Sequence, residues 1–169
     1  DMGSSAKLRT LITYLQLVAE LHEQYAGMPR AQLLRLKVAD KDLLMRWVVQ
    51  YLAGAQDRSL TPMLKAAMSR PYSASPAESF FTGGGVHRFA NFHRDDDHKV
   101  MDMWEATRNS VNLPFIRLMR DIVRHFMYRD PKGAAQILED PNDPRREDYL
   151  KQFADKEGKA YLARFLKKY

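Results

Sequence analysis

Apolar positions along this chain recur at spacings of three and four, the period of amphipathic helices, with little of the alternation that marks strands. From Ser4 to about Gln24, the residues Leu8, Leu11, Ile12, Leu15, Val18 and Leu21 paint one face of a helix that Gly27 and Pro29 bring to an end. A short helix through Ala31–Leu36 comes next. Asp40 is then expected to cap a stronger helix in which Leu43, Leu44, Trp47, Val48 and Leu52 face inward. Thr61 ahead of Pro62 reads as a cap with proline at the first helical position, opening Met63–Arg70. Ser75 and Glu78 form a capping box for a brief turn ending at Phe80 and Phe81.

The pattern changes over Thr82–His98. Gly83, Gly84 and Gly85, alternating aromatics and a charge cluster predict a loop with a short strand at Val86–Phe89. Helices resume over Lys99–Asn109 and, after Asn112 and Pro114, over Phe115–Arg129. The latter sets Phe115, Leu118, Met119, Ile122, Val123 and Phe126 on one side, and Arg117, Arg120, Asp121 and Arg124 on the other. Asp-Pro steps punctuate residues 130–144, and the tail from Pro144 to Tyr169 is amphipathic. No internal repeat or low-complexity tract is visible. The fold class expected is mainly α, with at most one short hairpin.

A chain of 169 residues with 45% apolar and 28% charged residues is enough for one packed domain or a piece of one. Its net charge of +6 permits an acidic partner, but the basic residues are spread along the chain and form no dense block. The absence of cysteine excludes disulfides and thiolate zinc sites. No apolar run approaches the roughly 18 residues of a membrane span, and no signal-peptide core is visible. Because the chain opens and closes in mid-phrase, it reads as a single fragment of a larger domain.

The first candidate chemistry lies at Gly3-Ser4-Ser5-Ala6-Lys7. A serine hydroxyl is a weak nucleophile until a base takes its proton. Residues i and i+3 of a helix share a face, so Lys7 reaches towards Ser4 and serves as base if burial lowers its pKa. Free N–H groups at the helix start stabilise an oxyanion. By chance alone Ser-x-x-Lys is expected about 0.5 times in a chain of this composition, so alternatives stay open. Ser4 or Ser5 would then be a helix cap and Lys7 a solvated first-turn residue, and Met2–Ser5 also resembles a vector-encoded leader. A second motif, Ser110-Val111-Asn112, precedes the strongest helix. Its simpler reading has Asn112 as helix cap and Ser110 in the turn.

The surroundings of both motifs resemble the transpeptidase domain of penicillin-binding proteins, above all the bifunctional peptidoglycan synthases. Members of that family carry Gly-Ser-Ser/Thr-x-Lys at the start of a buried helix. Later they carry a segment matched here by Asn91-Phe92, Val100, Met103, Glu105-Ala106, Ser110, Asn112, Pro114, Ile116 and Leu118. The resemblance covers Gly3–Lys7 and roughly Phe89–Arg120. It implies the helical portion of an α/β fold, with the sheet largely absent from this chain. Residues 24–71 would be a helical insertion, and the tail from about 130 to 169 is unmatched.

The resemblance further implies that Ser4 is the acylated nucleophile, attacking a stem-peptide D-alanine carbonyl or a β-lactam ring. Lys7 would accept its proton. Ser110 would relay a proton to the leaving group, and Asn112 would bond the substrate amide and Lys7. The Ser4 N–H would supply half of the oxyanion hole. No cofactor is implied. The partners would be peptidoglycan stem peptides, β-lactams and cell-wall assembly proteins, and the parent protein would sit on the periplasmic side of the inner membrane. The family's third motif, Lys-Thr/Ser-Gly on a strand, is absent. Lys156-Glu157-Gly158 lacks the hydroxyl and lies in a polar helical pattern, so the fragment alone is expected to be nearly inactive.

Other constellations weigh less. His87, His93, Asp95, Asp96, Asp97 and His98 fit no metal-ligand spacing and read as a solvated loop. Gly83–Gly85 is not followed by the lysine of a phosphate loop. Arg108, Arg117, Arg120, Arg124 and Arg129 form a basic strip, but acidic residues interrupt it and nucleic acid is not an expected partner. Trp47 and Trp104 are expected in the core. The competing class is a non-catalytic, basic helical binding or scaffold module.

Overall fold

The computed structural model describes residues 3–76, 80–82, 85–87, 90–129, 142 and 144. Within them the chain is mainly helical. Helix α1 spans Ser4–Tyr25. It buries Lys7, Thr10, Leu11, Tyr14, Leu17, Val18 and Leu21, whereas Leu8 and Ile12 are exposed. The inward face is therefore rotated from the expected one. Hydrogen bonding permits the rotation: Thr10 Oγ1 donates to the Ala6 carbonyl and the Tyr14 hydroxyl donates to the Ala67 carbonyl at 2.8 Å.

Helix α2 (Arg30–Leu33) is a single turn, and α3 runs from Leu43 to Gly54. The α3 cap is Asp42, whose Oδ1 accepts the Met45 N–H at 3.0 Å, and not Asp40; Leu43 faces out. Helix α4 (Leu60–Met68) starts from Ser59, so Thr61 and Pro62 fall inside its first turn. Pro62 is tolerated there because the first four helical N–H groups lack intrahelical partners anyway.

Strand β1 (Tyr72–Ser73) pairs antiparallel with β4 (Val100–Met101), and β2 (Phe80–Thr82) pairs with β3 (Gly85–His87). Phe80 and Phe81 thus end no helical turn but lie in a strand, and the Ala77–Glu78 part of the expected capping box lies outside the described residues. The expected strand at Val86–Phe89 begins one residue earlier, at Gly85. A 3-10 turn, Arg94–Asp96, precedes β4. Helix α5 (Met103–Arg108) starts later than periodicity predicts. Residues 100 and 101 pair as a strand, and Asp102 caps the helix by accepting the Glu105 N–H at 2.9 Å.

Helix α6 (Asn112–Tyr128) is the hub, touching α1, α3, α5 and β1. With neighbours on most sides, every residue from Asn112 to Met119 is buried. Its polar side is consequently not a solvated strip. Arg117 is buried and donates from its two terminal nitrogens to the carbonyls of Ser73 and Ser75, each at 2.8 Å. Asp121 is buried too, accepting from the Tyr72 hydroxyl at 2.9 Å and pairing with Arg70 at 3.3 Å. Burial pushes the Asp121 carboxyl above its ordinary value, and the Arg70 guanidinium opposes that rise. Arg70 also lies 5.4 Å from the ring centres of both Trp47 and Tyr72. Trp47 packs against the core as expected, but Trp104 does not; it is 48% exposed. No helix among the described residues is long and apolar enough to cross a membrane.

Candidate functional site

Residues from α1 and from the α5–α6 turn meet at one point. The Lys7 side chain, on the inward face of α1, donates from Nζ to Ser110 Oγ at 2.8 Å and to the Ser110 carbonyl at 2.6 Å. This joins the two short motifs across 103 positions of sequence. Lys7 is only 7% exposed, and desolvation lowers its pKa from 10.5. A neutral amine has two N–H bonds and one lone pair. The lowered pKa favours that neutral form, whose lone pair accepts a proton.

Ser4 lies one turn before Lys7 on α1 and is exposed. Neither Ser4 nor Ser5 caps the helix. Gly3 holds the cap position without a side-chain bond, and its carbonyl accepts the N–H groups of Ala6 and Lys7. The N–H groups of Ser4 and Ser5 precede the first helical hydrogen bond and are open to an oxyanion. The solvated-lysine alternative fails with the cap alternative, because Lys7 is buried and its amine is bonded.

Ser110 sits in the turn in the left-handed region, with φ of 52°. For a residue with a Cβ that conformation costs roughly 1–2 kcal/mol, and here it directs both the carbonyl and the hydroxyl at Lys7. Asn112 is not the helix cap; Val111 is, without a side-chain bond, and Asn112 is the first helical residue. Its Nδ2 donates to the Ala90 carbonyl at 3.0 Å. Its Oδ1 is buried and has no partner among the described residues. Neither Asn112 nor Ser4 is bonded to Lys7, so the structure brings together Lys7 and Ser110 directly, with Ser4 one turn away on α1 and Asn112 two positions after Ser110 with a buried, unpartnered acceptor.

The remaining candidates do not join this site. His93, Asp95 and His98 are exposed, Asp96 pairs with Lys99 at 2.8 Å, and no group of three metal-ligating side chains exists among the described residues. Gly83, Gly84 and Lys156–Gly158 lie outside them. The basic strip is broken by the burial of Arg117. In the sequence Asn91 is only one of the positions that carry the resemblance, with no role of its own. Its partners Ala74, Asp97 and Leu113 are distant in sequence and carry no common motif, so no local signal revealed them. No protein-family model, curated protein or solved structure matches this chain.

Proposed function

We propose that this chain carries the acyl-serine half of a penicillin-binding, D,D-transpeptidase-type site. The observation that supports this reading is the contact of Lys7 Nζ with Ser110 Oγ at 2.8 Å, made by two motifs that resemblance alone had paired. In the proposed cycle the Lys7 amine takes the Ser4 proton as Ser4 Oγ attacks a carbonyl of a stem peptide or β-lactam. The Ser4 N–H steadies the oxyanion. The proton then passes from Lys7 through the Ser110 hydroxyl to the leaving nitrogen, and the acyl group stays on Ser4 until an acceptor amine or water removes it. Asn112 Oδ1, buried and without a partner among the described residues, would accept a substrate amide N–H only once substrate binding uncovers it.

Lys-Thr/Ser-Gly does not occur in the sequence, and a complete site of this class takes a second oxyanion donor from that strand. The assay therefore uses the full-length gene product. Covalent labelling by a fluorescent penicillin is expected, with loss in Ser4→Ala and in Lys7→Met. A folded wild-type protein that is not labelled, or labelling that survives Ser4→Ala, overturns the reading.

A further inference from the structure

We infer that Asn91 is the positioning residue of the Ser110–Asn112 segment: it caps α6 from outside the helix and thereby leaves Asn112 to the site. This rests on the acyl-serine reading of that segment. A helix start normally takes its cap from the residue before it, and Ser, Thr, Asp or Asn is favoured there. In α6 that residue is the buried, apolar Val111, while the asparagine stands one position later and does not cap. The missing bond comes instead from 22 residues upstream, where Asn91 Oδ1 accepts the Leu113 N–H at 3.0 Å. The two hydrogens of Asn91 Nδ2 go to the Ala74 carbonyl and to Asp97 Oδ1, each at 2.8 Å. Asn91 is 8% exposed, and both its amide hydrogens and its Oδ1 are engaged, each by a different segment.

The preceding residue completes the grip, since the Ala90 carbonyl accepts Asn112 Nδ2 at 3.0 Å. Residues 90 and 91 thus hold the first turn of α6 by backbone and side chain together. Ser110 lies just ahead of that turn in a strained conformation that persists only where its surroundings over-determine it. Releasing the turn lets Ser110 relax and withdraws its hydroxyl and carbonyl from Lys7.

The test compares Asn91→Ala with Asn91→Asp in the full-length protein. Both are made on an Asp97→Asn background, so that the Asn91→Asp carboxylate faces an amide donor and not a second carboxylate. Both lose the two Nδ2 bonds, but only Asn91→Asp keeps an acceptor for the Leu113 N–H, with a charge that the helix N-terminus favours. The expected result is penicillin acylation slowed about 10- to 100-fold in Asn91→Ala, with Asn91→Asp near the rate of that background despite a similar loss of thermal stability. The Lys7 titration, followed by its Cε chemical shift against pH, is displaced in Asn91→Ala only, because the amine there loses its contacts with Ser110. Equal slowing in both variants, or a Lys7 titration unchanged in Asn91→Ala, overturns the positioning role. An unlabelled wild-type protein overturns the acyl-serine reading instead, and the Lys7 titration still decides the role of Asn91.

Discussion

At the residue scale, Lys7 and Ser110 define what this protein must tolerate in order to keep its site. Lys7 is buried with its pKa depressed, so at neutral pH its protonated form weighs against folding. Between the depressed folded value and 10.5 the unfolded chain binds more protons, so this contribution to stability rises with pH. Urea midpoints at pH 7 and pH 10 check the sign: the wild type should gain on Lys7→Met as pH rises, and parallel profiles would refute it. Ser110 holds a left-handed backbone that glycine adopts freely. Ser110→Gly should leave stability unchanged or raise it by up to about 1 kcal/mol, while penicillin labelling falls because Lys7 loses its hydroxyl partner. The two motif letters were legible in the sequence. The inward turn of Lys7 was not, because a lysine on a helix reads as solvated until its partner is known.

At the element scale, helix starts are where sequence and structure diverge most. Asp40 and Asp42 have the same side chain and both precede α3. Asp42 is selected because Oδ1 bonds Met45 N–H while Oδ2 bonds His125 Nδ1 at 3.0 Å, tying α3 to α6 across 83 positions. Asp42→Ala should therefore cost about 2–4 kcal/mol, from a lost cap and a buried histidine left without its partner. Asp40→Ala should stay within about 0.5 kcal/mol of the wild type. Chemical denaturation of the two variants compares them directly, and equal losses would reject the assignment. The same divergence appears at Thr61, displaced by Ser59, and at Asn112, displaced by Val111 with Asn91 acting from a distance.

At the scale of the whole molecule, one buried polar network ties the helices to the strand pair. Arg70 bonds Asp121 and the Tyr14 hydroxyl, each at 3.3 Å, and Tyr72 bonds Asp121, so α1, the end of α4, β1 and α6 converge. Removing one partner of a buried ion pair strands the other, so Asp121→Ala should cost about 3–5 kcal/mol in thermal or urea unfolding. A loss below about 1 kcal/mol would show that the network carries little of the stability. Native-state hydrogen exchange should find the slowest amides in α6, the element with most neighbours, and faster exchange in the single turn of α2. Exchange in α6 as fast as in α2 would contradict its place at the centre.

Among the described residues, the spacing of apolar residues determined by itself that the chain is mainly helical, in what order the helices come and roughly where each lies. The amphipathic tail expected from Pro144 to Tyr169 falls outside them after its first residue. Hydrophobic periodicity is a local property, so it survives without knowledge of neighbours. Composition determined the exclusion of disulfides. Only the tertiary structure decided which polar residues go inside, because each is admitted by a partner that sequence order does not reveal. Lys7 meets Ser110 across 103 positions, Arg117 meets Ser73 across 44, and Asn91 meets Leu113 across 22. The pairing of β1 with β4 was decided in the same way, since two-residue strands are too short to show a period and exist only where a partner completes their hydrogen bonds.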